Sequence, residues 1–66
     1  MKNTIRVARA EQRMTQQELA DKVDVSRQTI NAFESGKFVP STVLALKIAR
    51  KFGKAVEDIF QLEEED

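Results

Sequence analysis

The chain has 66 residues with no cysteine, no histidine, one proline and two glycines. This length holds one domain around one small core. The composition excludes a disulfide framework and thiolate or imidazole metal sites, and offers no catalytic nucleophile–base pair or glycine-rich phosphate loop. Eleven Lys and Arg balance 11 Asp and Glu, but residues 1–54 hold all the cations against five carboxylates, a net +6, while residues 55–66 carry −6. A basic body of this kind either faces a polyanion or is simply solvated.

No stretch alternates with period two, so strands are not expected in the body. Ile5 and Ala8 give a first helix over about residues 4–12. The run MTQQEL then specifies a second helix. Thr15 and Glu18 have capping-box spacing, and Met14 and Leu19 sit where a hydrophobic staple forms. Leu19, Ala20 and Val23 carry this helix to Asp24. Ser26 is a good N-cap for a third helix that runs to about Ser35 and stops at Gly36. Pro40-Ser41 opens the fourth, whose Leu44, Ile48 and Phe52 form a stripe up to Gly53. A short fifth helix, residues 56–60, lacks a capping side chain at Ala55. The acidic run at 63–66 is expected to be frayed and solvated.

The third helix is the informative one. With Ile30 set at zero on a helical wheel, Phe33 lies about 60° to one side and Glu34 about 40° to the other. Gln28, Asn31, Ala32 and Ser35 gather opposite, flanked by Arg27 and Thr29. Such groups suit base edges in a major groove: Gln pairs bidentately with adenine, Arg with guanine, and Ala touches a thymine methyl. On composition alone the same face is an ordinary solvated helix surface. The arrangement adds weight, because a capped helix, a short DVS turn and a second helix with a polar start make the helix-turn-helix plan.

TQQELADKVDVSRQTINAFESGK, followed by PSTVLALKIARKFG and EDIF, resembles the Cro/CI-type (XRE) helix-turn-helix regulators, above all their short, single-domain dimeric members. The resemblance spans residues 5 to about 60. It implies an all-α, lambda-repressor-like domain of five short helices over residues 1–66, with the helix-turn-helix at about 16–35. It implies a transcriptional regulator, more a repressor than an activator, that binds double-stranded DNA at an inverted repeat as a homodimer. Gln16 matches a glutamine that grips a phosphate and braces the recognition helix. Ser26, Arg27, Gln28 and Thr29 match positions at or near base edges, Ala32 a thymine-methyl contact, and Ser35 and Lys37 backbone contacts; Asn31 joins them from the wheel. An arginine of the first helix commonly pairs with the glutamate equivalent to Glu34, which assigns Arg9–Glu34 to structure.

Two departures stand out. Asp24 occupies a turn position where the family favours glycine, and Lys54-Ala55 replaces the usual apolar–Ser pair before the fifth helix. For the dimer, the resemblance points to the fifth helix and IFQLE. Phe60 and Leu62 either pair as a short strand across a twofold, or Phe60 completes the core and Leu62 frays. The rival to a regulator is an antitoxin-like, protein-binding module with secondary DNA binding, which needs apolar surface left uncovered after folding. No metal, cofactor, small-molecule ligand or enzymatic activity is expected. With no membrane-length apolar run and no signal-like start, the expected location is the cytoplasm, at the nucleoid.

Overall fold

Capping chemistry sets where the principal helices begin. The computed structural model describes residues 1–66. It contains α1 (Ile5–Glu11), α2 (Gln16–Val23), α3 (Arg27–Glu34), α4 (Thr42–Phe52) and α5 (Val56–Ile59), with two short strands, β1 (Lys2–Asn3) and β2 (Phe60–Gln61). Thr15, Ser26 and Ser41 each adopt extended backbone angles and accept a hydrogen bond from the N–H three residues on. The Glu18 carboxylate also accepts from the Thr15 N–H at 3.0 Å, which closes the capping box. α1 and α5 have no side-chain cap. Instead the Thr4 hydroxyl donates to the Asp58 carbonyl at 3.0 Å, and the Thr4 N–H to the Ile59 carbonyl at 2.8 Å. The start of α1 is thereby tied to α5.

The first four helices end alike. Met14, Val25, Lys37 and Lys54 donate their N–H groups to the carbonyls five residues back, on Arg9, Ala20, Ala32 and Ala49. The residue before each donor is left-handed: Arg13 (φ 52), Asp24 (φ 60), Gly36 (φ 80) and Gly53 (φ 67). This wrap satisfies carbonyls that the helix leaves open, and it favours glycine at the left-handed position. Asp24 therefore adopts the conformation its family position requires. Arg13 does the same without any hint from its residue type; the Arg9 guanidinium supports that turn by donating to the Met14 carbonyl at 2.8 Å.

The apolar stripes converge on one core. Its twelve buried residues are all apolar, and the five largest that are sealed completely are Ile5, Leu19, Ile30, Ile48 and Ile59, one from each helix. α2 packs against both α3 and α4, and α4 against α5. Every helix depends on the others for its buried face, so the two helices of the helix-turn-helix are held as a unit.

The strands add one element to the sequence reading. β1 was not expected. β2 pairs with it antiparallel within the same chain, Lys2 opposite Gln61 and Asn3 opposite Phe60. The physical reason is proximity: the Thr4 contacts bring the residues before α1 alongside the residues after α5. Phe60 is only 8% exposed and belongs to the core. Leu62, one residue past β2, is 80% exposed.

Candidate nucleic-acid interface

α3 divides as the wheel requires. Ile30 and Phe33 are buried, while Arg27, Gln28, Asn31 and Ser35 are exposed, with Thr29 and Ala32 half-buried at the margins. Ser26 at the start of the helix and Lys37 just past its end are exposed too. The expected base-facing and backbone-facing residues thus share one continuous surface. Gln16 approaches it from α2, half-buried.

Not all of these side chains are free. The Ser26 hydroxyl accepts the Thr29 N–H at 3.1 Å and shares a hydrogen bond with the Thr29 hydroxyl at 2.9 Å. The Ser35 hydroxyl donates to the Ala32 carbonyl at 3.1 Å. These three serve first to start and finish the helix. Arg27, Gln28 and Lys37 make no side-chain hydrogen bond or ion pair within the chain, so their polar groups cost nothing to redirect to a ligand.

Under this surface lies Glu34, whose side chain is 1% exposed. Its carboxylate accepts from Arg9 Nε at 2.6 Å and Arg9 Nη2 at 3.1 Å, a bidentate pair. Gln16 Nε2 donates to the same carboxylate at 3.1 Å, and Arg6 Nε lies 3.5 Å away from the exposed side. Burial pushes the Glu34 pKa up, but the hydrogen bonds from Arg9 and Gln16, the Arg9 charge and Arg6 outweigh it, and the pKa lies below the ordinary value. The Arg9–Glu34 pair expected from the resemblance is present. Arg6 and Asn3 were missed: the Asn3 amide donates to the Phe33 carbonyl at 2.8 Å, fastening β1 to the end of α3. Neither short contact leaves a sequence signal, since a lone Arg or Asn near a chain's start fits any solvated surface.

The carboxylate fixes the polarity of the side chains beyond it. Ionised Glu34 only accepts, so Gln16 must turn its Nε2 toward it. That nitrogen also donates to Asn31 Oδ1 at 3.2 Å. Asn31 is therefore oriented with its oxygen inward and its Nδ2 donors free. Both Gln16 hydrogens are spent, and the exposed end of that amide is its oxygen, which cannot bond a phosphate. Of the two roles expected of Gln16, bracing α3 is the one this arrangement of its side chain serves. The first backbone N–H groups of α2 remain unpaired within the helix and carry its positive dipole end.

No group of three or more His, Cys, Asp or Glu side chains is placed to hold a metal, and no helix is long and apolar enough to cross a membrane. The surface is built for donors and acceptors displayed on a rigid helix.

Comparison with known proteins agrees with this arrangement. The Helix-turn-helix family model matches residues 5–59. The chain is 52% identical over its whole length to the uncharacterized HTH-type transcriptional regulator MJ0272 of Methanocaldococcus jannaschii, covering all of that protein. It is 47% identical to the uncharacterized HTH-type transcriptional regulator YgzD of Bacillus subtilis, again over the full length of both. Among solved structures, that of the clp gene regulator ClgR from Corynebacterium glutamicum matches with a TM-score of 0.77 and 30% identity over 82% of this chain; the chain spans 57% of the ClgR chain. Fold, sequence and exposed helix face together place this chain in the XRE-type helix-turn-helix family of transcriptional regulators.

Proposed function

We infer that this protein is a sequence-specific DNA-binding repressor that acts in the cytoplasm, on the nucleoid, as a homodimer on an inverted-repeat operator. The observation that carries the reading is the α3 face. Arg27, Gln28 and the oriented Asn31 amide project from a helix locked by Glu34, and nothing within the fold uses their outward groups. α3 enters the major groove, where Arg27 and Gln28 read base edges, Thr29 and Ala32 lie against them, and Ser26 sits at the entry. The α2 amides, Asn31, Ser35 and Lys37 hold phosphates. Gln16 braces this set. A single unit reads too few base pairs for useful selectivity in a genome, so a twofold pair reading two half-sites is the natural working form. Occupying an operator suffices to repress, with no further surface required.

Selection of bound duplexes from a random pool tests this directly. The expected result is a palindromic consensus with half-sites about one helical turn apart. Binding without preference for any selected sequence over random duplex overturns it.

A second reading has one observation in its favour. Folding leaves Phe38, Val39, Val43 and Leu46 more than half exposed, which is the uncovered apolar surface an antitoxin-like, protein-binding module needs. A stoichiometric foreign partner that co-purifies from the native cell supports that reading. A chain that purifies alone and self-associates removes it.

A further inference from the structure

One face of α4 is left without a partner. Val43, Leu46, Lys47 and Arg50 recur at one-turn spacing along the helix and line a shallow depression. Val43 is 63% and Leu46 53% exposed. Leu46 also borders a neighbouring, mostly apolar groove with Val39, Pro40, Val56 and Phe60. Neither Lys47 nor Arg50 forms an ion pair within the chain. An apolar patch rimmed by uncommitted charge is a feature of interaction surfaces.

The other end of the chain has the complementary pattern. Leu62 follows β2 directly, two residues beyond Phe60, and Phe60 borders the α4 groove. Four carboxylates follow Leu62. The Met1 amino group engages Glu63 at 3.4 Å and Asp66 at 3.0 Å, which, with the β1–β2 pairing, holds the segment along its own amino end. Leu62 is left in solvent, and Glu64 and Glu65 have no ion pair. The segment therefore offers one exposed aliphatic side chain followed by two free anions. The α4 face offers two exposed aliphatic side chains followed by two free cations.

We propose that residues 62–65 of one copy dock on the α4 face of a second copy, reciprocally about a twofold axis. Leu62 packs against Val43 and Leu46, and Glu64 and Glu65 face Lys47 and Arg50. The proposal rests on the homodimer reading and gives that dimer its surface. The apolar contact supplies the affinity, and the rim charges set the register and reject misaligned pairings. The acidic segment thus has a partner other than solvent.

The test uses the full chain in sedimentation velocity over a concentration series. Wild type dimerises. L62E, K47E/R50E and E64K/E65K each weaken dimerisation about tenfold or more, with unchanged far-UV circular dichroism because every altered residue is exposed. Mixing K47E/R50E with E64K/E65K restores the dimer, since in both contacts the tail then meets a face of opposite sign. If wild type dimerises and the variants match it, or if mixing rescues nothing, the docking surface is overturned while the dimer stands. If wild type stays monomeric both free and on its selected operator, the homodimer reading fails and the proposal goes with it.

Discussion

Glu34 shows how much one buried carboxylate organises. It receives hydrogen bonds from Arg9 and Gln16, which reach it from two different helices, and through Gln16 it sets which way the Asn31 amide points. A buried ion pair is better evidence of a fixed arrangement than of large net stability, but removing one partner strands the other. Glu34→Gln is expected to destabilise the fold by about 2–3 kcal/mol at neutral pH, read by urea unfolding. The pH dependence has a definite sign. Because the folded pKa is depressed, the stability Glu34 contributes is present above its unfolded pKa of about 4.3 and is lost as pH falls through the folded value. The gap between wild type and Glu34→Gln should therefore close in acid; a gap that persists unchanged at low pH means that the charge is not what Arg9 and Gln16 hold. Asn31→Asp separates bracing from recognition. It keeps an acceptor for Gln16 but replaces the outward donor with an anion, so the melting temperature should hold while DNA affinity, by fluorescence anisotropy, falls about tenfold or more.

At the scale of elements, the chain repeats one device, a helix closed by a left-handed residue, and fills it with glycine only twice. Asp24 and Arg13 adopt the same conformation at a steric cost that glycine avoids. Asp24→Gly is expected to stabilise the domain by about 0.5 kcal/mol, the strain relief being partly offset by a freer unfolded chain. For a domain of this size that raises Tm by about 2–4 °C. Asp24→Ala should lower it, so the order Gly, Asp, Ala in thermal melts checks the assignment. The same elements show what sequence reveals. The caps at Thr15, Ser26 and Ser41, the glycine stops and the two faces of α3 are legible because each depends on residues within a turn or two. β1 is not legible: two residues have no periodicity, and their pairing follows from Thr4 meeting α5 far along the chain. The Arg6 and Asn3 contacts are long-range in the same way. Arg13 is hidden for another reason, since arginine is no sign of a left-handed turn and only the completed helix end demands one. The strand at Phe60–Gln61 was legible, but its pairing with β1 was not, because that pairing joins residues nearly sixty positions apart.

The whole molecule separates its tasks by charge and by face. The cations lie ahead of residue 55 and six of the 11 carboxylates after it, so on the proposed reading a basic recognition body and an acidic end can serve DNA and a second copy without competing. The protomer measures 31 × 22 × 20 Å. On the proposed homodimer reading, two protomers of this size can span half-sites about one DNA turn, roughly 34 Å, apart. This geometry makes operator spacing a test of rigidity. Inserting about half a turn, roughly 5 base pairs, between the half-sites rotates one to the opposite side of the duplex, and wild-type affinity should fall to that of a single half-site. L62E should bind the intact operator with that half-site affinity already and should be indifferent to the insertion. Lys37→Ala should behave differently again: it weakens every duplex to a similar extent and lowers the salt slope by about one per protomer, as loss of one phosphate contact requires. Electrophoretic mobility shifts on the intact and inserted operators, repeated over a salt series, distinguish the three. If L62E and wild type lose the same factor on insertion, the two half-sites are coupled by something other than the tail, and the DNA-binding face must be considered apart from the surface that joins the copies.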